Sequence, residues 1–154
     1  MHKILGLFTI MVMFVGCNSS TENVEMKNLN GSWSRKTEQE FNFKINDAQH
    51  PKNIIFVVRN NNDYPYSNIR FIVNFMDAQT KKKSTDTLNY ILAQPNGEWI
   101  GKGFGDTKET LFQYKLNYKF PQNGDYSIGI IHAMRTDSLK GIEDLGVKIE
   151  TAKP

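Results

Sequence analysis

The sequence is poor in the side chains that build disulfides and metal sites. One cysteine and three histidines occur in 154 residues. A single thiol cannot form an internal disulfide, and these residues do not make the usual structural zinc site of four nitrogen and sulfur ligands. We therefore expect no metal, no cofactor and a fold that depends on its packed core.

The chain also lacks a strong excess of charge of one sign. Lys and Arg number 19 and Asp and Glu 16, which leaves a net charge of +3. A nucleic-acid-binding domain is expected to concentrate much more positive charge, so we exclude a nucleic-acid partner. With 39% hydrophobic and 23% charged residues, the composition is that of an ordinary globular protein, and the length favours one domain.

No apolar run approaches the roughly 20 residues that a membrane-spanning helix needs. The uncharged segment 4–15, ILGLFTIMVMFV, has twelve residues and follows Met1-His2-Lys3. A positive start and a short apolar run are typical of a signal peptide. The next residues, Phe14-Val15-Gly16-Cys17, resemble a bacterial lipobox, in which Phe14 replaces the usual Leu. The resemblance predicts that residues 1–16 are a lipoprotein signal peptide and that Cys17 is lipidated after cleavage.

Two or more acyl chains, such as palmitate, anchor a protein stably to a bilayer without spanning it. The mature protein is therefore expected to be membrane-bound through its N-terminal acyl chains. Residues 18–30, NSSTENVEMKNLN, are polar and show no sustained apolar period. We interpret residues 17–32 as the lipidated cysteine and a flexible tether, and residues 33–154 as the folded domain.

From residue 33 onward the hydrophobic period is two, as in half-buried strands. Phe41, Phe43 and Ile45 alternate with polar residues, and 53–59 (NIIFVVR) has the continuous apolar character of a central strand. The same alternation recurs in four further sets: Ile69, Phe71, Val73, Phe75; Leu88, Tyr90, Leu92; Phe112, Tyr114, Leu116, Tyr118, Phe120; and Tyr126, Ile128, Ile130, His132, Met134. Leu145, Val147 and Ile149 end the series.

Turn residues separate these segments. The Asn-Gly pairs at 30–31, 96–97 and 123–124 favour tight reversals, and Pro51, Pro65, Pro95 and Pro121 interrupt the runs. About eight short strands without a long helical period predict a single all-β domain, an antiparallel β-sandwich that is either immunoglobulin-like or jelly-roll-like. Residues 133–141 are the only helical candidate, and they are short and polar.

The familiar catalytic patterns are missing. His50 lies beside Pro51, and His132 falls on the apolar phase of its strand, which predicts a packed or rim histidine rather than a catalytic base. The glycines of WIGKGFGD (99–106) would need a helix directly after them to form a phosphate cradle, so an irregular corner is favoured. Lys81-Lys82-Lys83 is interpreted as a solvated hairpin tip, with contact to anionic lipid or phosphate as the minor alternative.

Several short motifs resemble the gliding-motility lipoprotein GldH family in the order in which they occur. They are YPYSN (64–68), GEWIGKG (97–103) with Gly105-Asp106, AMR (133–135), and GI (141–142) with DLGV (144–147). The resemblance spans about residues 33–150. It implies a cell-envelope lipoprotein linked to the gliding apparatus and its associated secretion machinery, with no catalytic residues to assign and Cys17 as the transferable functional position.

We therefore expect a non-enzymatic structural or interaction protein that docks on other gliding-motility envelope proteins. The alternative is a lipid-anchored glycan-binding module, because aromatic residues lie in turn-flanked segments. Tyr64, Pro65, Tyr66, Trp99 and Lys102 are the candidates for an interaction surface or for structural loops. An exposed coplanar aromatic pair would favour sugar binding, and rings packed under loops would favour a structural role.

Location follows from the residues after the cysteine. In this family's bacteria an acidic run at that position resembles a surface-export signal, and residues 18–22, NSSTE, contain no such run. We therefore expect the domain to face the periplasm, on the outer membrane.

Overall fold

The computed structural model describes residues 23–153, and within this range the chain forms ten β-strands. No helix long and apolar enough to cross a membrane occurs among these residues. The strands are β1 (Asn23–Asn28), β2 (Ser32–Ser34), β3 (Gln39–Ile45), β4 (Lys52–Asn60), β5 (Asn68–Asp77), β6 (Lys83–Ile91), β7 (Lys108–Tyr118), β8 (Gly124–His132), β9 (Ser138–Lys140) and β10 (Ile142–Thr151).

Two antiparallel four-stranded sheets face each other. The first has the order β1-β10-β4-β7 and the second β3-β8-β5-β6, while β2 and β9 form a small separate ribbon. Among the eight long strands, the first therefore pairs with the last, the second with the seventh, the third with the sixth and the fourth with the fifth. This nested pairing is that of a jelly roll. The predicted antiparallel β-sandwich is confirmed, and of the two strand orders left open the jelly roll is the correct one.

One core lies between the sheets. The inward residues of β3, β5 and β8 alternate as predicted, and Phe41, Phe71 and Ile128 are fully buried. The central position of β4 between β10 and β7 is also confirmed. From β4, Phe56 reaches across to Phe71 on β5 in an edge-on contact, with the ring centroids 6.1 Å apart. Contacts of this kind lock the two sheets together.

The boundary of the tether is a correction. Residues 23–32 were predicted to be part of it, but β1 pairs with β10 from Asn23 to Asn28 and Leu29 is buried. Strand pairing uses backbone groups, so a strand can form without an apolar stripe. β1 has no such stripe, and the hydrophobic pattern of the sequence therefore did not predict it. On its inward side Glu25 accepts a hydrogen bond from the Asn42 backbone N–H (2.8 Å), and the Lys27 ammonium lies 5.5 Å from the Phe41 ring centroid. Residues 1–22, with the predicted signal peptide and Cys17, lie outside the described residues.

The one helical candidate is not a helix, and one further expectation, the placement of Leu116, is wrong. Residues 133–141 form bends and the short strand β9, which pairs with β2, rather than a helix. Leu116 was placed on the apolar face of β7 but is 51% exposed. The β4–β7 register shifts on both sides of Ile54, so β7 carries extra residues that turn Leu116 outward, and Tyr118 packs against the core again after the second shift.

The strand directions divide the loops between two ends of the sandwich. Asn23 lies at the proximal end, defined by loops 46–51, 78–82 and 119–123 and by residues 152–153. The distal end comprises the β1–β2 turn, loops 61–67 and 92–107 and residues 133–137. All five candidate surface residues predicted from the sequence fall in the distal loops.

Candidate interaction site at the distal end

Tyr64 is a structural residue beneath the distal loops. Its ring is buried, and its hydroxyl donates to the backbone carbonyl of Asn68 (2.7 Å). Burial raises the pKa of Tyr64 far above its usual value, so the phenol remains protonated. Gly141 has a φ of +77°, and a Cβ there would lie 2.3 Å from the Tyr64 backbone nitrogen. Only glycine lets the β9–β10 connection pass this closely.

Trp99 lies at the margin of the core, half-buried against it. Its indole N–H donates to Oδ1 of Asn62 (3.0 Å), and the amide of Asn62 donates to Oδ1 of Asp106 (3.1 Å). One asparagine therefore joins loop 61–67 to both ends of the WIGKGFGD segment. The Trp99 ring is tilted by 54° against Tyr64 at a centroid distance of 6.3 Å.

The glycine-rich segment folds back onto β7. Lys102 and Glu109 exchange backbone hydrogen bonds of 2.8 and 3.0 Å. A Cβ at Gly101 would lie 2.6 Å from Oγ1 of Thr110, and one at Gly103 would lie 2.2 Å from the Thr107 carbonyl oxygen. The glycines thus allow close backbone approach, as the irregular-corner interpretation predicted. No helix follows them, so the geometry of a phosphate cradle is not present here.

The segment ends in an apolar side chain that sequence reasoning missed. Phe104 is fully exposed, Ile100 is 44% exposed and Tyr66, in the neighbouring loop, is 38% exposed. The available signal was the sequence Gly103-Phe104-Gly105, because an aromatic residue between two glycines in a turn has no side-chain neighbours to cover it. Phe104 thus leaves a large apolar side chain in water on a loop whose base is closed by the Lys102–Glu109 backbone pair.

Cationic groups flank these residues. The YPYSN and AMR motifs, distant in sequence, meet at a cleft of about 200 Å³ lined by Tyr66, Asn68, Arg70, Ala133, Met134 and Arg135. Both arginines are exposed, and neither forms an ion pair within residues 23–153. A second cleft runs from Phe104 and Lys102 to Arg59, and Glu109, Glu143 and Asp144 also line it, so its acidic side chains outnumber its basic ones. There the Arg59 guanidinium pairs with Glu109 (2.8 Å) and Asp144 (3.6 Å), which raises its pKa.

The histidines do not assemble into a site. His132 is completely buried and stacks edge-on against Trp33 at 5.3 Å, so it is packed in the core. His50 lies at the proximal end, bonded to Asp47. Within the described part of the chain, no three His, Cys, Asp or Glu side chains are grouped as metal ligands.

The fold and the distal end define a small jelly-roll domain that presents apolar and cationic loop residues. Comparison with known proteins gives its family. The GldH lipoprotein family model matches residues 21–149, and the chain belongs to this family. The family resemblance drawn from the sequence motifs is thereby confirmed.

Two curated relatives match along nearly their whole length. The gliding motility lipoprotein GldH homolog of Christiangramia forsetii is 36% identical over 151 residues, covering 94% of this chain and 91% of its own. The gliding motility lipoprotein GldH of Flavobacterium johnsoniae is 29% identical, with coverages of 94% and 93%. Among solved structures, a family two carbohydrate esterase from Cellvibrio japonicus aligns with 86% of this chain and 36% of its own, at 9% identity and a TM-score of 0.34, which is too weak a likeness to bear on function.

Proposed function

We propose that this chain is a lipid-anchored envelope protein that serves gliding motility as a non-enzymatic interaction component of the motility-associated secretion machinery. Membership of the GldH lipoprotein family supports the envelope location and the link to gliding. The distal end supports the interaction role, because it offers contact surface and no evident catalytic constellation.

The anchor in this proposal is Cys17. Five residues separate it from Asn23, where β1 begins. Six Cα–Cα steps span at most about 20 Å, so the proximal end stays close to the membrane. Loops at the distal end then point away from the bilayer, towards partners in the periplasm.

Lipidation has a direct test, since Cys17 is the only thiol in the chain. Cys17→Ala should abolish incorporation of a fatty-acid analogue and release the protein from the membrane fraction. Labelling of the Cys17→Ala protein would contradict the proposed anchor.

The observation that carries the interaction role is the complete exposure of Phe104. Fully burying an aromatic side chain of this size contributes about 1.5–3 kcal/mol, which an isolated domain forgoes and a partner can recover. The short glycine-rich loop that holds it is fixed by the Lys102–Glu109 backbone pair, so little ordering would be needed on docking.

We would test this role by replacing the wild-type chain in cells with Phe104→Asp. The matched control is Leu116→Asp, because Leu116 is another exposed apolar residue but lies towards the proximal end of β7. We expect Phe104→Asp to stop colony spreading at unchanged protein level and thermal midpoint, and Leu116→Asp to spread normally. Normal spreading of Phe104→Asp would overturn the docking role of this loop.

The glycan-binding alternative is not favoured by the aromatic geometry. Tyr64 is buried, its ring is 76° from the plane of Tyr66, and Trp99 is hydrogen-bonded at the core margin. A flat pair of exposed rings, on which a sugar could stack, is not formed by these residues.

A further inference from the structure

The proximal end is a continuous surface, because hydrogen bonds join its three loops. The side-chain oxygen of Asn123 accepts a hydrogen bond from the Ala48 backbone N–H (2.7 Å). The backbone carbonyl of Asn123 accepts a second one from the side-chain amide of Gln79 (3.4 Å). The amide of Gln122 also donates to Gln79 (2.7 Å). Loops 46–51, 78–82 and 119–123 therefore keep fixed positions relative to one another.

Loop 78–82 has a defined shape that presents its lysines. The carboxylate of Asp77 accepts backbone N–H bonds from Gln79 (2.9 Å) and Thr80 (3.2 Å), and the Asp77 N–H donates to the Lys82 carbonyl (3.0 Å). Lys81 adopts a left-handed φ of 58° at the turn. We call Lys81, Lys82, Lys83 and Lys119 the lysine patch; all four are exposed, and none forms an ion pair within the described range.

The acidic residues of the proximal loops do little to neutralise this patch, although Lys83 also lines a surface cleft with Glu38 and Glu40. Asp77 is buried and bonded to the backbone of its own turn, and Asp47 pairs with His50 (2.8 Å) and Lys52 (3.3 Å). Glu150 pairs with Lys148 (2.9 Å). Asp125 remains exposed beside the loops. Four exposed lysines without ion pairs therefore lie at the end of the molecule at which β1 begins.

We propose that the lysine patch binds anionic phospholipid headgroups and holds the proximal end flat against the membrane. The partner is a lipid surface rather than a protein because the first residue of β1 and the patch share one end, and the short connection to Cys17 keeps that end within about 20 Å of the bilayer. Charges within about one Debye length, roughly 10 Å, of an anionic surface attract it strongly. This orientation of the domain rests on the proposed lipid anchor. With the proximal end on the membrane, the distal loops would lie on the side of the domain that is farthest from the bilayer.

The test measures vesicle binding without the acyl chains. Chain 17–154 carrying Cys17→Ser is sedimented with vesicles of phosphatidylcholine alone or mixed with phosphatidylglycerol. The test variant changes Lys81, Lys82 and Lys83 to Gln. The control changes Arg35, Lys36 and Lys140 to Gln, which removes the same charge from exposed positions at the distal end. Thermal midpoints of both variants are measured to confirm that they fold.

We expect binding only to the phosphatidylglycerol vesicles. Each lysine near such a surface raises the partition coefficient roughly fivefold. The partition coefficient of the patch variant should therefore fall on the order of 100-fold, and that of the distal control much less. Equal losses in the two variants, or equal binding to both vesicle types, would overturn the proposal. Because neither arm uses lipidated protein or gliding cells, this failure would be distinct from failure of the anchor or of the docking role.

Discussion

Replacing His132 with leucine should stabilise the domain and reduce the dependence of its stability on pH. His132 is 0% exposed in the core, where its ring contacts Trp33. Neither ring nitrogen has a hydrogen-bond partner of ordinary geometry among the described residues, although the backbone of Trp33 lies close enough to favour the charged form of the ring. Burial, together with the positive charge of Arg35, lowers the pKa of His132, so the imidazole is neutral in the folded state at physiological pH.

The magnitude follows from these two facts. A buried polar group without a partner costs about 1–3 kcal/mol, and leucine has a similar volume without polar atoms. After allowance for imperfect repacking, we expect His132→Leu to raise the free energy of unfolding by about 1 kcal/mol, or the thermal midpoint by roughly 4 °C.

The sign of the pH effect is fixed by the lowered pKa. Below about pH 6.5 the unfolded histidine gains a proton that the folded one resists, so stability falls as pH decreases, by at most about 1.4 kcal/mol per pH unit. Above that pH both states are neutral at His132, and its contribution to the free energy of unfolding no longer changes with pH. Asp86 accepts a 2.6 Å hydrogen bond from the Tyr114 hydroxyl, which lowers the pKa of Asp86. Any loss of stability from protonation of Asp86 therefore occurs at lower pH than the loss caused by His132.

Denaturant unfolding at about pH 7.5 and about pH 5.5 measures both effects. The wild type should lose stability over this interval and His132→Leu should lose less. His50→Gln, which changes the exposed histidine instead, is the control. It leaves His132 in place and should therefore keep the loss of stability that His132 causes between the two pH values. If His132→Leu is less stable than the wild type at both pH values and retains the pH dependence, the imidazole makes a stabilising contact and the reasoning is wrong.

Three other outcomes are expected. Trp99→Ala should lower the free energy of unfolding by less than the about 3–5 kcal/mol of a fully buried aromatic, because Trp99 is only half-buried; an unchanged midpoint in thermal unfolding would show that its packing and its bond to Asn62 do not stabilise the distal loops. Gly103→Ala should loosen its loop, because the new Cβ would lie 2.2 Å from the Thr107 carbonyl oxygen; limited proteolysis should then cut within residues 101–107 faster than in the wild type, and equal rates would contradict the predicted clash. Protease added to intact cells should leave the domain uncut if it faces the periplasm, whereas digestion would place it on the cell surface.

The sequence was informative where burial follows alternation. Phe41, Phe43 and Ile45 identified β3 because one face of that strand meets the core. The same reasoning missed β1, because its inward Glu25 and Lys27 are satisfied by a backbone N–H and by an aromatic face. It also misplaced Leu116, since the irregular pairing of β7 with β4 turns that side chain outward and leaves no mark in the pattern of residue types.

Strand order and the distal surface depended on contacts between distant parts of the chain. The choice between immunoglobulin-like and jelly-roll orders is set by long-range pairing such as β1 with β10, which no local pattern reveals. The motifs YPYSN and AMR were visible, but their meeting at one cleft was not. Exposure of Phe104 likewise required the fold, because WIGKGFGD was interpreted through its glycines alone.

Site-specific photocrosslinking in living cells tests the central claim, that the domain docks on envelope proteins through its distal end. A photoreactive phenylalanine analogue is placed at Phe104 and, in a parallel strain, at Leu116, and the adducts are identified by mass spectrometry. Position 104 should capture a discrete envelope protein whose own deletion stops gliding, and position 116 should not. No adduct at position 104, or the same adducts at both positions, would contradict docking through the distal loops.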